Sequence, residues 1–76
     1  MVGALILVTA KIGTMKNIYE ELKNMENIEE AEMLTGPYDI MAIARGGKMT
    51  EVTQILIEKI RNIEGVEDTV TNVFIE

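Results

Sequence analysis

Apolar residues in this chain follow two kinds of pattern. Short dense runs are typical of strands, and stripes at spacings of three and four are typical of amphipathic helices. The run at 3–12 predicts a first strand with apolar side chains on both faces. A stripe predicts the helix that follows, and it consists of Met15, Ile18, Leu22 and Met25. Thr14 is the expected N-cap of this helix, and Asn24 and Asn27 suit its end because asparagine tolerates left-handed backbone.

The same order of elements returns in the rest of the chain. Two strands are predicted at 29–35 and 39–45, and the segment Gly36-Pro37-Tyr38-Asp39 predicts the turn between them. A second helix is predicted from about Met49 to Ile63, and Gly65 is the expected glycine at its end. The apolar stripe of this helix consists of Met49, Val52, Leu56, Ile60 and Ile63.

A last strand at 66–75 completes the order βαββαβ. The first and third strands are apolar throughout, as strands with neighbours on both edges are, whereas the second and fourth carry charges that edge strands tolerate. Right-handed crossovers then place both helices on one face of the sheet. The prediction is an α+β, ferredoxin-like βαββαβ sandwich with antiparallel sheet order 4-1-3-2, formed by a single domain over residues 1–76.

One face of this sheet has no cover from its own chain. On the first strand, Leu5 and Leu7 point away from the side chains of Ala4, Ile6 and Val8. At about 25 cal/mol per Å², leaving an apolar patch of a few hundred Å² in water would cost several kcal/mol. A core of this size supplies only about 3–5 kcal/mol of net stability. We therefore expect a homodimer that packs sheet face to sheet face.

Composition narrows the function classes. The 76 residues include 13 Asp and Glu against 7 Lys and Arg, a net charge of −6, with Cys 0 and His 0. The acidic balance argues against direct binding of nucleic acid, and the lack of histidine removes the commonest general base. We expect no enzyme, no catalytic residue, no cofactor and no metal site. The first apolar run is far short of the roughly 20 residues that cross a membrane, so we expect a cytoplasmic protein with no membrane partner.

Three pieces of the sequence occur in a recognisable order: the apolar first strand, the segment 35–39 that enters the third strand, and the segment 63–66 that leads to Thr69 and Thr71. Over about residues 4–75 the chain resembles the effector-binding (RAM) domain of the Lrp/AsnC, or feast/famine, regulator family. The resemblance implies a small-molecule effector, a free amino acid, held between dimers that assemble into octamer-like rings. Typical members carry an N-terminal helix-turn-helix domain, and nothing precedes the first strand here. We therefore expect an amino-acid-sensing, oligomerising domain that modulates transcription without its own DNA-binding domain, by self-assembly or with a full-length Lrp/AsnC regulator.

The candidate ligand-binding residues are Gly36, Tyr38, Asp39, Thr69 and Thr71. The turn exposes backbone N–H and C=O groups, Asp39 is an acceptor for an ammonium group, and the two threonine hydroxyls share one side of a strand. Each residue also has a structural interpretation. Asp39 can bond to the backbone, Gly36 can serve the turn conformation, Tyr38 can shield the turn or serve an interface, and threonine favours strands.

Other interpretations stay open at this point. An ACT-like allosteric subunit of a biosynthetic enzyme shares the βαββαβ order and binds amino acids, and a structural subunit without ligand needs no site at all. A small enzyme of the dimeric α+β-barrel type would need acid–base groups that the aliphatic sheet does not supply. We interpret Gly46-Gly47-Lys48 as a strand-to-helix turn rather than a phosphate loop, and the acidic residues 26–32 as a solvated face.

Overall fold

The order of elements follows the predicted one. The computed structural model describes residues 2–75, without the side chain of Ile55. Met1 and Glu76, the ends of the predicted domain, lie outside the described residues. The elements are β1 (Val2–Ala10), α1 (Met15–Lys23), β2 (Ile28–Met33), β3 (Ile40–Gly46), a π-helical segment (Glu51–Leu56) that continues into α2 (Ile57–Arg61), and β4 (Val66–Val73).

The four strands form one antiparallel sheet in the order β2-β3-β1-β4, which confirms the predicted order 4-1-3-2. The central pair of β1 and β3 runs from Val2 opposite Gly46 to Val8 opposite Ile40. The charged strands β2 and β4 lie at the edges, where charge discourages pairing with other sheets.

Both helices cover the same face of the sheet. Ala4, Ile6 and Val8 of β1 are fully buried beneath them, and they pack in one cluster with Ile18 of α1 and Ile60 of α2. The opposite face carries four half-buried apolar side chains on the central strands, namely Leu5, Leu7, Met41 and Ile43. We call this side of the sheet the open face. The prediction that the chain covers only one face of its sheet is confirmed.

The end of α1 differs from the prediction. Asn24 has φ −92°, and the described residues with positive φ are all glycines, so the expected left-handed asparagine at Asn24 or Asn27 is wrong. The Asn24 side chain donates to the Glu20 carbonyl at 3.1 Å, and Asn27 exchanges hydrogen bonds with the Arg45 backbone at 2.9 Å. These bonds hold both residues in ordinary backbone. Thr14 is the N-cap as predicted, but its hydroxyl donates to the Lys11 carbonyl and caps nothing.

The second helix begins at Met49, as predicted, but Glu51–Leu56 has a wider, π-helical turn. Met49 is 49% exposed, so the assignment of Met49 to the core is wrong. The other four members of the stripe are buried as predicted, namely Val52, Leu56, Ile60 and Ile63. The Glu51 carboxylate accepts hydrogen bonds from the backbone N–H of Gly47 at 2.8 Å and of Lys48 at 3.3 Å. Gly46 is thus the last residue of β3, and Gly47 and Lys48 form the predicted strand-to-helix turn, with both of their amides bonded to a side chain of the protein itself.

Gly65 ends the turn before β4 rather than α2 itself, whose C-cap is Asn62. Its φ is +100°, and an added Cβ would lie 2.5 Å from Cβ and Oγ1 of Thr14. The Gly65 carbonyl also accepts from the Lys11 N–H at 2.8 Å. The turn between β1 and α1 and the turn between α2 and β4 are the two crossover turns of the fold. They thus touch at a position that only glycine fits.

Candidate functional site

Asp39 lies where three strands end. Its Oδ2 accepts from the Ala10 N–H at 2.8 Å, its own N–H donates to the Val8 carbonyl at 3.0 Å, and its carbonyl accepts from the Leu34 N–H at 2.8 Å. Ala10 is the last residue of β1, Leu34 follows β2 and Asp39 precedes β3, so Asp39 joins all three strands. Among residues 2–75 no donor reaches its Oδ1. The carboxylate therefore has a structural bond through one oxygen and an acceptor to spare on the other.

The turn residues before Asp39 are accessible. Gly36 is exposed with φ +127°, and an added Cβ would meet nothing within 4 Å, so the position needs glycine for its backbone and not for space. Tyr38 is half-buried beside it. Both interpretations of these residues, as turn formers and as ligand contacts, are compatible with this arrangement.

The two threonines share a face, as their spacing predicts. Thr69 lies opposite Val8 and Thr71 opposite Ile6, so both are on the helix-covered face, where they are half-buried. The hydroxyl of Thr69 accepts a hydrogen bond from Nε of Arg61 at 3.4 Å. Arg61 is thus a neighbour of the candidate site that the sequence analysis did not select.

One copy of the chain does not bring all five candidates into contact. Val8 pairs with Ile40 on one side of β1 and with Thr69 on the other. Asp39 and Thr69 therefore flank β1 at the same end of the sheet, and two strand spacings of almost 5 Å put β3 and β4 about 10 Å apart. Ligand binding by the five residues stays a prediction.

A surface groove lies elsewhere, on the outer side of the second helix. It has a volume of about 520 Å³ and is lined by Thr53, Gln54, Ile57, Glu58, Arg61 and Asn62, and we call it the α2 groove. A smaller groove of about 250 Å³ is lined by Lys23, Ile28, Glu29, Glu30 and Ala31. Neither contains any of the five candidate residues. The spacing of three between Glu58 and Arg61 is the sequence signal that could have indicated the α2 groove, because it places opposite charges side by side on a helix.

Arg45 contacts several residues at the end of the open face that is farthest from Asp39. Its guanidinium lies across Gly3 and over the ring of Phe74, 5.2 Å from the ring centre, and its Nε is 3.4 Å from Oε1 of Glu29.

Within the described part of the chain, no three His, Cys, Asp or Glu side chains converge as metal ligands would. Over the same residues, no helix is long and apolar enough to span a membrane.

Comparison with known proteins identifies the family. The model of the Lrp/AsnC ligand binding domain matches residues 3–76. The chain belongs to this family. Among curated relatives, an HTH-type transcriptional regulator of Pyrococcus furiosus is 37% identical over 60 residues, which are 79% of this chain and 40% of the relative. The chain thus spans about two fifths of the length of that regulator.

Several solved structures share the fold over nearly the whole chain. A protein of Thermus thermophilus is 26% identical with a TM-score of 0.92, and the match covers 100% of this chain and 95% of the other. A transcriptional regulator of Neisseria meningitidis, solved as a complex with L-Met, is 16% identical with a TM-score of 0.84, covering 99% of this chain and 50% of the regulator. The second likeness shows the fold alone. The family match and the HTH-type relatives favour a domain of transcriptional regulators over an ACT-like subunit of a biosynthetic enzyme.

Proposed function

We propose that this chain is a regulatory domain that binds a free α-amino acid and, through its assembly with further copies or with a full-length Lrp/AsnC regulator, modulates transcription. The match of the ligand binding domain over residues 3–76 carries the proposal. The amino-acid class is supported by the Neisseria meningitidis regulator of the same fold, whose structure contains L-Met. The link to transcription is supported by the HTH-type regulators, of which this chain spans two fifths.

The proposed assembly begins with the open face. Its apolar centre, defined above, continues onto β4 through Val70, which is 37% exposed and lies opposite Leu7. Charged residues surround this centre: Glu30 and Glu32 on β2, Asp68 on β4 and Arg45 on β3. An apolar centre with a polar rim is the usual anatomy of a protein interface. We expect two open faces to pack together as a dimer, and the dimers to form an octamer-like ring.

The position of the five candidates supports a ligand site between copies. The charged groups of an α-amino acid are too close together to bridge the roughly 10 Å between Asp39 and Thr69 in one copy. A ligand that contacts both kinds of residue must take Asp39 from one copy and the threonines from a neighbour. The free Oδ1 of Asp39 then accepts from the ammonium group, and the threonine hydroxyls donate to the carboxylate.

A thermal-shift screen against the twenty common amino acids tests this proposal, with the oligomeric state measured by native mass spectrometry. A ligand at 100 times its Kd adds about 2.7 kcal/mol, which raises the Tm of a domain of this size by roughly 10–20 °C. We expect Asp39→Asn, which keeps an acceptor for the Ala10 N–H, and Thr71→Val to reduce the shift. Glu26→Gln, an exposed acid outside the proposed site, is the matched control. A flat screen with an assembled sample contradicts ligand binding, and a monomer at micromolar concentration contradicts the assembly.

A further inference from the structure

The α2 groove contains an unpaired set of opposite charges. Glu58 and Arg61 are one helical turn apart, both exposed, and they line the same groove. In the described residues, Arg45 and Glu29 form an ion pair, but no carboxylate is within ion-pair distance of Arg61. The guanidinium of Arg61 donates from Nε to the Thr69 hydroxyl. Its four terminal N–H groups have no acceptor among the described residues. Two opposite charges therefore lie beside each other in the groove without a direct ion pair between them.

The other lining groups complement a small polar molecule. Asn62 and Gln54 add amide donors and acceptors, and the hydroxyl of Thr53, which donates to the Met49 carbonyl at 2.9 Å, keeps its oxygen as an acceptor. Ile57, 9% exposed, forms an apolar floor. The groove is open to solvent, and its volume of about 520 Å³ has room for an amino acid. The wide π-helical turn that supplies Thr53 and Gln54 is a form of helix that is frequent at functional sites.

The smaller groove offers a comparison inside the same molecule. It also combines a cation with the carboxylates of Glu29 and Glu30, but Lys23 and Glu29 already have neighbours within the chain. Lys23 lies 5.0 Å from the centre of the Tyr19 ring, and Glu29 is paired with Arg45. The smaller groove also has about half the volume of the α2 groove. Of the two grooves, only the α2 groove thus has a cation and a carboxylate that both lack an ion-pair or aromatic partner among the described residues.

We infer that the α2 groove is a binding site for a zwitterionic α-amino acid, with Arg61 holding the ligand carboxylate and Glu58 its ammonium group. Adjacent opposite charges on the protein match adjacent opposite charges on the ligand, and charge-assisted hydrogen bonds form at both ends. The site lies within one copy of the chain. It rests on the proposed function only for the class of ligand, and it uses other charged groups than the site proposed between copies, although Arg61 contacts Thr69 of that site. Because Arg61 also donates to the Thr69 hydroxyl, a ligand in the groove affects the threonine pair on β4.

Amide NMR of the isotope-labelled full chain tests the inference, with L-glutamine titrated into the millimolar range. Two analogues keep the side chain and remove one charge each: N-acetyl-L-glutamine lacks the ammonium group and L-glutaminamide lacks the carboxylate. We expect L-glutamine to shift the amide signals of residues 53–62. Each analogue, and each of the variants Arg61→Gln and Glu58→Gln, weakens binding roughly five- to tenfold. Lys23→Gln, which removes one charge from the smaller groove, is the matched control and leaves the affinity unchanged.

The outcomes separate this site from the one proposed between copies. Shifts at residues 53–62 that persist in Asp39→Asn and weaken in Arg61→Gln support the α2 groove, even if the thermal-shift screen fails. Stabilisation by an amino acid that depends on Asp39, without any shift at residues 53–62, overturns the groove and leaves the proposed function intact. Equal affinity of the wild type and both groove variants also overturns it. Glu58→Gln changes only an exposed side chain, so this variant stays informative if Arg61→Gln disturbs the contact with Thr69.

Discussion

Replacing Gly65 with alanine tests the contact between the two crossover turns. At φ +100° an alanine costs about 1–2 kcal/mol of backbone strain. Its Cβ would also lie 2.5 Å from Cβ and Oγ1 of Thr14, so the turn after β1 must move away from the Gly65 carbonyl that accepts from Lys11. Adding the loss of that hydrogen bond, about 1 kcal/mol, gives a destabilisation of about 2–3 kcal/mol. This is a large part of the 3–5 kcal/mol expected for a core of this size.

Urea unfolding followed by circular dichroism measures this loss, with all variants at one protein concentration because assembly contributes to stability. Gly13→Ala is the matched control, since Gly13 has φ +88° and open space around its missing side chain, so it reports backbone strain alone. The double variant Gly65→Ala with Thr14→Gly removes the colliding Cβ and should recover about 1 kcal/mol. If Gly65→Ala costs no more than Gly13→Ala, the close approach to Thr14 has no energetic weight and the reasoning is refuted.

Two further changes test the start of the second helix and the open face. Glu51→Ala removes the acceptor of two backbone N–H groups and should destabilise the chain by about 0.5–2 kcal/mol in urea unfolding, whereas Glu20→Ala, in an exposed part of α1, should cost less. Equal losses would mean that the Glu51 carboxylate does not stabilise the turn. Leu7→Asp places a charge in the centre of the open face and should give monomers in light scattering, while Ile12→Asp, at a fully exposed position, should not. An unchanged dimer with Leu7→Asp would remove the open face as the interface.

Most of the fold follows from patterns that are local in the sequence. Apolar side chains on both faces marked β1 and β3 as central, and charges such as Glu32 and Asp68 marked the edges, which is sufficient for the order of the sheet. The misplaced features depend on contacts between distant residues. Met49 fits the helical spacing, but spacing alone does not show whether a distant element covers the first turn of the helix, and Met49 is 49% exposed. Asn27 suits a helix end, but its pairing with Arg45 continues the contact between β2 and β3.

The candidate site was predictable in parts. A period of two placed Thr69 and Thr71 on one face, and the structure agrees. The predicted strand order already puts β1 between the turn and the threonines, so the separation of Asp39 from Thr69 was within reach of the sequence. The bond from Arg61 to Thr69 was not, because it depends on the angle at which α2 crosses β4. Thr53 and Gln54 of the α2 groove lie in the wide turn before α2, and helix propensity does not distinguish such a turn from an ordinary one.

The two proposed sites respond differently to protein concentration, and this difference follows from geometry alone. A ligand that needs Asp39 from one copy and Thr69 from another binds only to assembled chains, so its apparent affinity rises with protein concentration, and the ligand in turn promotes assembly. A ligand held by Glu58 and Arg61 finds both groups on one helix, so dilution leaves its affinity unchanged. Titrations of the wild type and of Leu7→Asp at two protein concentrations therefore separate the sites without a substitution in either. If all binding disappears with Leu7→Asp, both kinds of site need a neighbouring copy, and the groove does not act alone.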